Sequence, residues 1–520
     1  MRTLILLKRF LIVACVACLG LTACSGGGGG GLATSRPVLD ATYRASGHAA
    51  AGDVFVHLFE WSWNDVANEC ETQLGPKGFK AAQVSPPQED ILGSQWWTRY
   101  QPVSYSIDQS RSGTRAEFID MVNRCKAAGV DIYVDAVINH MTAGSGTGSN
   151  NTFYSKYHYP NLYMTQSDFH SPCSVNNYQS AANVQDCELV GLADLNTGSA
   201  SVQQKIADYL VGLARLGVAG FRIDAAKHIQ PVELNGILTK VNQTLAPLPY
   251  YFAEVIDYGG EAVKAHDYFG LGYSSGGAAD ITEFKFRGVG DKFLGTGGQY
   301  LAQLNPNGSP GNQFSESAWG IMPSDKAVVF LENHDTQRSG GISYRDGAIY
   351  RLANIWMLAQ PYGYPSVMSS YAFDRTTQAG IDAGPPATGP GCAASLEVAA
   401  IPQWVCEHRD QVIANMIAFR RAVAGTPQTN WWDNGANAIA FSRDGKGFVV
   451  INRETVSLSN NFVTGLAPGK YCNILSGGVS LGNPSSCAAG QPITVDLSGN
   501  ANINLAALTG LVLQAGISVP

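Results

Sequence analysis

Eight times along this 520-residue chain a short apolar, strand-like run is followed by a longer connection, much of it helical in period. The runs lie around residues 53–60 (DVFVHLFE), 79–85, 130–137, 218–224, 249–255, 279–286, 326–333 and 364–369. Strands that alternate with helices pair in parallel through crossover connections. Eight of them predict a closed (β/α)8 TIM barrel of the α/β class. One connecting helix is directly readable. Over 201–216 the residues Val202, Ile206, Tyr209, Leu210, Leu213 and Leu216 fall on one face, the stripe that packs against a sheet.

Four of the runs end in acidic motifs: VDAVINH at 134–140, GFRIDAAKH at 220–228, YFAEVID at 251–257 and VVFLENHD at 328–335. The C-terminal strand ends of a barrel converge on one pocket, so Asp135, Asp224, Glu254 and Asp335 are expected to meet there with His140, Arg222, His228 and His334. Converging carboxylates suit a reaction whose transition state carries positive charge. Glycosidic cleavage is such a reaction, with one carboxylate attacking while another delivers the proton. Charged residues make up only 14% of the chain and the net charge is -7, which leaves no basic surface for nucleic acid and points to a neutral partner. Nine Trp and 22 Tyr supply rings on which sugars could stack, beyond those the core must use.

The N-terminus reads as an export signal: Lys8 and Arg9, an apolar run over 10–21, then Leu21-Thr22-Ala23-Cys24. Its end resembles the lipobox of bacterial lipoproteins. Residues 1–23 are therefore expected to be a signal peptide, Cys24 the lipidated first residue, and 24–50 a tether that includes the all-glycine stretch 26–31. The expected localisation is export with a lipid anchor at the bacterial cell envelope, or secretion where Cys24 merely follows an ordinary cleaved signal, since no later segment is long and apolar enough to span a bilayer. Of the 11 Cys, Cys15, Cys18 and Cys24 lie in the leader. The remaining eight form an even set that implies disulfides in an exported protein. Pairing each with the next (70–125, 173–187, 392–406 and 472–487) is the most economical scheme, although the sequence leaves the connectivity open.

The barrel is expected to occupy 51–140 and 201–428. Residues 141–200, rich in Gly, Ser, Asn and Tyr and carrying Cys173 and Cys187, are too many for a structureless loop and predict a lobe inserted over the active-site mouth. From 429 to 520 the pattern changes to short runs such as AIAFS, FVVIN and NINLAAL, punctuated by Asn-Gly, Asp-Gly and Gly-Gly. Those are hairpin signals, and they predict a C-terminal antiparallel β-sandwich.

The four motifs, together with FEWSWND, GFKAAQVSPP, WWTRYQPVSY, YGYPSVMSSY and WVCEHR in that order, resemble the alpha-amylases of glycoside hydrolase family thirteen, in particular the animal-type enzymes, over roughly 50–515. The resemblance implies an endo-acting enzyme that hydrolyses internal α-1,4-glucosidic bonds of starch, glycogen and maltooligosaccharides with retention, working as a monomer. Asp224 then resembles the nucleophile, Glu254 the general acid/base, and Asp335 the carboxylate that binds and distorts the substrate ring. Arg222, two residues before Asp224, shares its strand face and can keep a neighbouring carboxylate charged. Trp96, Trp97 and Tyr100, with Gln101, match the substrate platform. His140, Lys227, His228 and His334 match groups that bind sugar hydroxyls, and Asp135 matches a brace beside them. Trp61 and Trp63 suit packing as well as a platform.

The family's calcium joins the inserted lobe to the barrel through oxygen ligands. Asn139 and Asp194 match the side-chain ligands, and His228 matches a backbone-carbonyl ligand. Gln185 matches a second carbonyl ligand, at a position where Arg is usual. Chloride is held in the animal-type enzymes by two arginines and an asparagine. Arg222 and Asn333 are present, but Ser366 stands at the second arginine position, so activity is not expected to need the anion. The Gly-rich loop after the NHD motif is also short, reading QRSGGISYRDG. Two rivals remain at this stage: a transglycosylase or maltooligosaccharide-forming enzyme on the same site, and a non-catalytic glucan binder. A pure binder has no reason to hold three mutually repelling carboxylates in one pocket.

Overall fold

The computed structural model describes residues 45–269 and 279–520. The leader, Cys24 and most of the tether lie outside the described residues. All eight apolar runs are strands: β1 (Phe55–Leu58), β2 (Ala81–Val84), β3 (Asp131–Ala136), β4 (Gly220–Ile223), β5 (Tyr250–Ala253), β6 (Ala279–Thr282), β7 (Ala327–Val329) and β8 (Tyr364–Ser369). Each pairs in parallel with the next, and β8 returns to β1, closing the barrel. The strands are shorter than the runs. The sixth run stops at Thr282 because the Glu283 side chain accepts a hydrogen bond from Lys285 N at 3.0 Å and turns Phe284–Arg287 into a 3-10 helix. The connecting helix expected over 201–216 is Ala200–Arg215, and it buries Val202, Ile206, Leu210 and Leu213 as the periodicity requires.

Alternation along the strands sorts the barrel interior into layers. Phe55, Tyr133, Phe252 and Tyr364 form an apolar layer towards the N-terminal ends, with the Phe55 ring 5.7, 5.4 and 4.8 Å from the other three. Two residues further along the same strands stand His57, Asp135, Glu254 and Ser366. An apolar floor thus lies beneath a polar layer, and the polar layer opens at the C-terminal face.

The floor is sealed from outside. His48, on the short helix His48–Ala51, stacks on Tyr364 at 4.4 Å and meets Tyr250 edge-on at 4.8 Å, while Ser46 Oγ donates to Asp280 Oδ2 at 2.6 Å. The tether was expected to run to residue 50. Its last residues instead pack on the barrel, because an imidazole fits the ring of tyrosines there.

The inserted segment buries Tyr154, Tyr159, Tyr163 and Phe169, which join the core of the barrel domain. A two-residue ladder of His140–Met141 with Ala193–Asp194 returns it to the barrel. In the C-terminal domain the strands Thr429–Asp433, Ala438–Arg443, Gly447–Asn452 and Thr509–Gln514 form one antiparallel sheet, turned by Asp444-Gly445 at φ 33° and 73°. Ala438–Arg443 and Gly447–Asn452 are buried at every position. One face, with Phe448, Val450 and Leu513, packs on the rest of the sandwich. The other, with Phe441, Val449 and Val512, joins the core of the barrel domain. Four disulfides join Cys70–Cys125, Cys173–Cys187, Cys392–Cys406 and Cys472–Cys487, the consecutive scheme. Among the described residues no helix is long and apolar enough to cross a membrane.

Candidate active site

Arg222 stands at the centre of the C-terminal face of the barrel. Its Nη1 donates to Asp135 Oδ1 at 2.6 Å and to Asp224 Oδ1 at 2.9 Å, and its Nη2 donates to Glu254. β4 pairs Arg222 with Asp135 of β3 on one side and with Phe252 of β5 on the other. Two residues beyond that register, Asp224 and Glu254 lie side by side. Asp135 is wholly buried and also accepts from Tyr100 OH at 2.9 Å, which makes it a brace.

Burial pushes the Asp224 carboxyl up to about 7 against the pull of Arg222, and the neighbouring Glu254 charge adds to the rise. Glu254 is raised too, by burial first, with Arg222 opposing and Asp335 reinforcing. Asp135 is pushed up to about 7, again mainly by burial. Carboxyls crowded around one guanidinium cannot all be ionised near neutral pH, so the set retains a proton and titrates as a unit. Asp335 is the open member, its side chain 43% exposed with Oδ2 3.6 Å from His334 Nε2.

Glu254 is positioned by backbone as well. Ala225 sits at φ 49°, a left-handed conformation that costs a non-glycine residue about 1–2 kcal/mol. It aims its N–H at Glu254 Oε2, 3.0 Å away. Strain held at such a site marks a position where geometry outranks stability.

His334 is sandwiched between the Tyr100 ring at 5.2 Å and the Phe59 ring at 5.0 Å, with Trp96 edge-on at 5.6 Å. Burial holds it well below the usual histidine range, so it is neutral. Trp96, Trp97 and Tyr100 are half-buried along one side of the cleft. Gln101 Oε1 accepts from Thr142 Oγ1 at 2.9 Å, and His140 Nε2 donates to Tyr100 O at 3.0 Å. At the other side Lys227 Nζ lies 5.0 Å from the Tyr178 ring centre and 3.7 Å from Glu261. Trp61 and Trp63 are both buried in packing, edge-on to Trp404 and Phe118.

The structure brings in residues that the motifs did not mark. Phe59 backs His334. Arg338 lies 4.5 Å from the Trp96 ring centre and donates to Tyr371 OH at 3.0 Å. Tyr178 reaches Lys227 from the inserted lobe. Period two along β1 and the residue after it places His57 and Phe59 at successive positions of one face and could have flagged them. No local pattern announces Tyr178 or Arg338.

The residues matched to calcium lie in two groups between lobe and barrel, Asn139 with Asp194 and Gln185 with His228. Asp194 is buried, its Oδ2 2.7 Å from His170 Nδ1, while its Oδ1 has no hydrogen-bond partner. Asn139 is buried beside it, its backbone O accepting from Leu195 N at 3.0 Å. His228 Nδ1 donates to Val184 O at 2.8 Å, and Gln185 Nε2 donates to Tyr268 OH, which donates in turn to Ile229 O. These contacts hold the Gln185 and His228 backbones together. Among the described residues no three His, Cys, Asp or Glu side chains converge as metal ligands. The set is instead one carboxylate, one amide and two carbonyls. An all-oxygen set with an orphaned buried carboxylate oxygen fits a hard divalent cation such as calcium.

Chloride fits poorly. Arg222, Asn333 and Ser366 line one small cavity of about 20 Å³, but Arg222 is engaged by three carboxyls. Asn333 Oδ1 accepts from Asp335 N at 3.1 Å and Thr336 N at 2.8 Å, which fixes the orientation of its side chain.

Comparison with known proteins follows the same lines. Residues 85–367 match the family described as "Alpha amylase, catalytic domain", and 429–516 match "Alpha amylase, C-terminal all-beta domain". Proteins named alpha-amylase from Streptomyces violaceus and Tribolium castaneum are both 44% identical, over 89% and 88% of this chain and 74% and 92% of their own. The pancreatic alpha-amylase of Rattus norvegicus is 41% identical over 88% of this chain and 93% of its own. A crystal structure of an alpha-amylase I variant from Eisenia fetida in complex with maltohexaose superposes with a TM-score of 0.79 at 35% identity, covering 89% of this chain and 97% of that one.

Proposed function

The chain belongs to the alpha-amylase family of glycoside hydrolases, and from that premise we propose an exported, endo-acting enzyme that hydrolyses internal α-1,4-glucosidic bonds of starch, glycogen and maltooligosaccharides with retention. The single observation that carries this reading is the pair of Arg222 contacts to Asp224 and Glu254. One guanidinium spans two carboxyls only when they lie close together, which favours the ~5 Å spacing of a retaining pair over the wider inverting arrangement.

In this reading Asp224, in its ionised form and paired with Arg222, attacks the anomeric carbon. Glu254, steered by Ala225 N–H, gives its proton to the leaving oxygen. The bond between glucosyl carbon and leaving oxygen breaks as the bond to Asp224 forms. Glu254, now ionised, takes a proton from water, and that water releases the sugar from Asp224 with a second inversion. Asp335, open to the cleft, holds the sugar at the cleavage point, assisted by neutral His334. Trp96, Trp97 and Tyr100 stack the glucan on one side, and Lys227 and His228 receive hydroxyls on the other. Asn139, Asp194 and the carbonyls of Gln185 and His228 would hold calcium, which ties the lobe to the barrel.

The test is product and anomer analysis by NMR on soluble starch, pullulan and cyclodextrin. Internal cleavage with α-anomeric products is expected. β-Anomers, or transfer products that dominate over hydrolysis, would overturn the reading.

A further inference from the structure

Four aromatic rings enclose the guanidinium of Arg338. Its Cζ lies 4.4 Å from the ring centre of Phe373, 4.5 Å from Trp96, 5.3 Å from Phe59 and 5.7 Å from Tyr371. All four rings are within reach of a cation–π attraction. The three nitrogens are used as well: Nε donates to Ile381 O at 3.1 Å, Nη1 to His334 O and Nη2 to Tyr371 OH at 3.0 Å. A planar fork satisfies this arrangement of rings and acceptors, whereas the point charge of a lysine does not.

The partners come from four neighbouring strands of the barrel. Phe59 follows β1, Trp96 follows β2, His334 and Arg338 follow β7, and Tyr371, Phe373 and Ile381 follow β8. Two further bonds close the set. Trp96 Nε1 donates to the same Ile381 O at 3.1 Å, and Tyr371 OH donates to Ala383 O at 2.8 Å, where Ala383 bridges to Gln95. Trp96 therefore cannot shift relative to His334 without breaking contacts to one guanidinium. The charge of Arg338 reaches the same end of the site. Burial raises Asp335 and lowers His334, and the Arg222 and Arg338 cations oppose the first shift and add to the second. We propose that Arg338 is a positioning residue that sets the register of the glucan. It fixes the spacing between the Trp96 platform and the Asp335–His334 end, so that a sugar stacked on one presents a defined neighbouring bond to the other. The proposal rests on the reading of the protein as an α-glucan hydrolase in which Trp96 and Asp335 bind substrate.

The test is a map of cleaved bonds. The parent, Arg338→Ala and Arg338→Lys proteins are compared on maltoheptaose labelled at its reducing end. Values of kcat and KM come from the same reactions, and folding is checked by circular dichroism and melting temperature. In both variants kcat/KM should fall about tenfold to a hundredfold, the scale expected when a bound substrate is misplaced by about 1 Å. The distribution of cleaved bonds should shift away from the parent's. Methylguanidinium should fill the opened cage of Arg338→Ala and restore rate and pattern saturably, while methylammonium, of equal charge, should not. A purely structural arginine would lower the amount of active enzyme and leave KM and the pattern as they are, so an unchanged pattern would overturn the proposal. Equal rescue by the two cations, or failure of both variants to fold, would overturn it too. A parent enzyme that leaves maltoheptaose intact would instead strike at the glucan-hydrolase reading.

Discussion

Arg222 is asked to neutralise more acid than one guanidinium can, and the excess is what makes the site reactive. Asp224→Asn and Glu254→Gln are each expected to lower kcat by about 10³–10⁶-fold with the fold intact, and the double variant by little more, because the pair acts as a unit. Steady-state kinetics with circular dichroism on the three variants checks this. The raised carboxyls also set the pH profile. In the proposed mechanism turnover needs Asp224 ionised and Glu254 protonated. Both are shifted upward, so both limbs of the bell should lie above the ordinary carboxyl values of about 3.9 and 4.3. Because Arg222 touches Glu254 directly and Ser366 brings no second cation, the profile should be the same in chloride-free buffer and in chloride at matched ionic strength. A saturable activation specific to chloride would contradict that account.

At the scale of elements, the helix Trp63–Glu69 is fastened to the end of the barrel domain by one carboxylate. Glu69 accepts from His408 Nε2 and from Arg409 Nε, both at 2.7 Å. Burial works to raise its pKa, but the His408 and Arg409 hydrogen bonds outweigh burial and hold it below the usual range. Glu69→Gln should lower stability by about 3–5 kcal/mol near neutral pH, the usual consequence of removing one partner of a buried pair. The sign with pH follows from the depressed value. The contribution is present above the unfolded pKa, about 4.3, and fades as pH falls through the folded one. Thermal melts of the two proteins should therefore differ at pH 7 and converge in acid. The proposed calcium would act on another element. Chelation should loosen 141–200 before 429–520, since a ligand bound only by the folded lobe stabilises it by mass action. Hydrogen exchange followed with and without chelator would reveal the order, and equal protection in both conditions would refute the site. Strands and carboxylates were legible in the sequence because each is written locally, as an apolar run ending in a charged group. His170 against Asp194, Tyr178 against Lys227 and the burial of both faces of Ala438–Arg443 were not, because they depend on segments brought together only by closure of the fold. Likewise Ser46 and His48 look like the end of a polar linker until the tyrosine floor is in place.

At the scale of the molecule, each of the eight cysteines among the described residues pairs with its neighbour in sequence, so none of these bridges encloses another. That order suits a chain that is oxidised as it emerges from an export channel. The anchor is tested at Cys24. Cys24→Ser should move the protein from the membrane fraction to the medium, since an acyl chain contributes about 0.8 kcal/mol per buried methylene. Wild-type protein found free and without lipid by mass spectrometry would remove the anchor from the account. The plug formed by Ser46 and His48 then acquires a directional meaning. The chain enters the barrel at the face opposite the cleft, so a lipid at its start would plant the molecule floor-down on the cell. The catalytic mouth would look outward into the medium, where a polymer too large to approach the membrane could still thread into it.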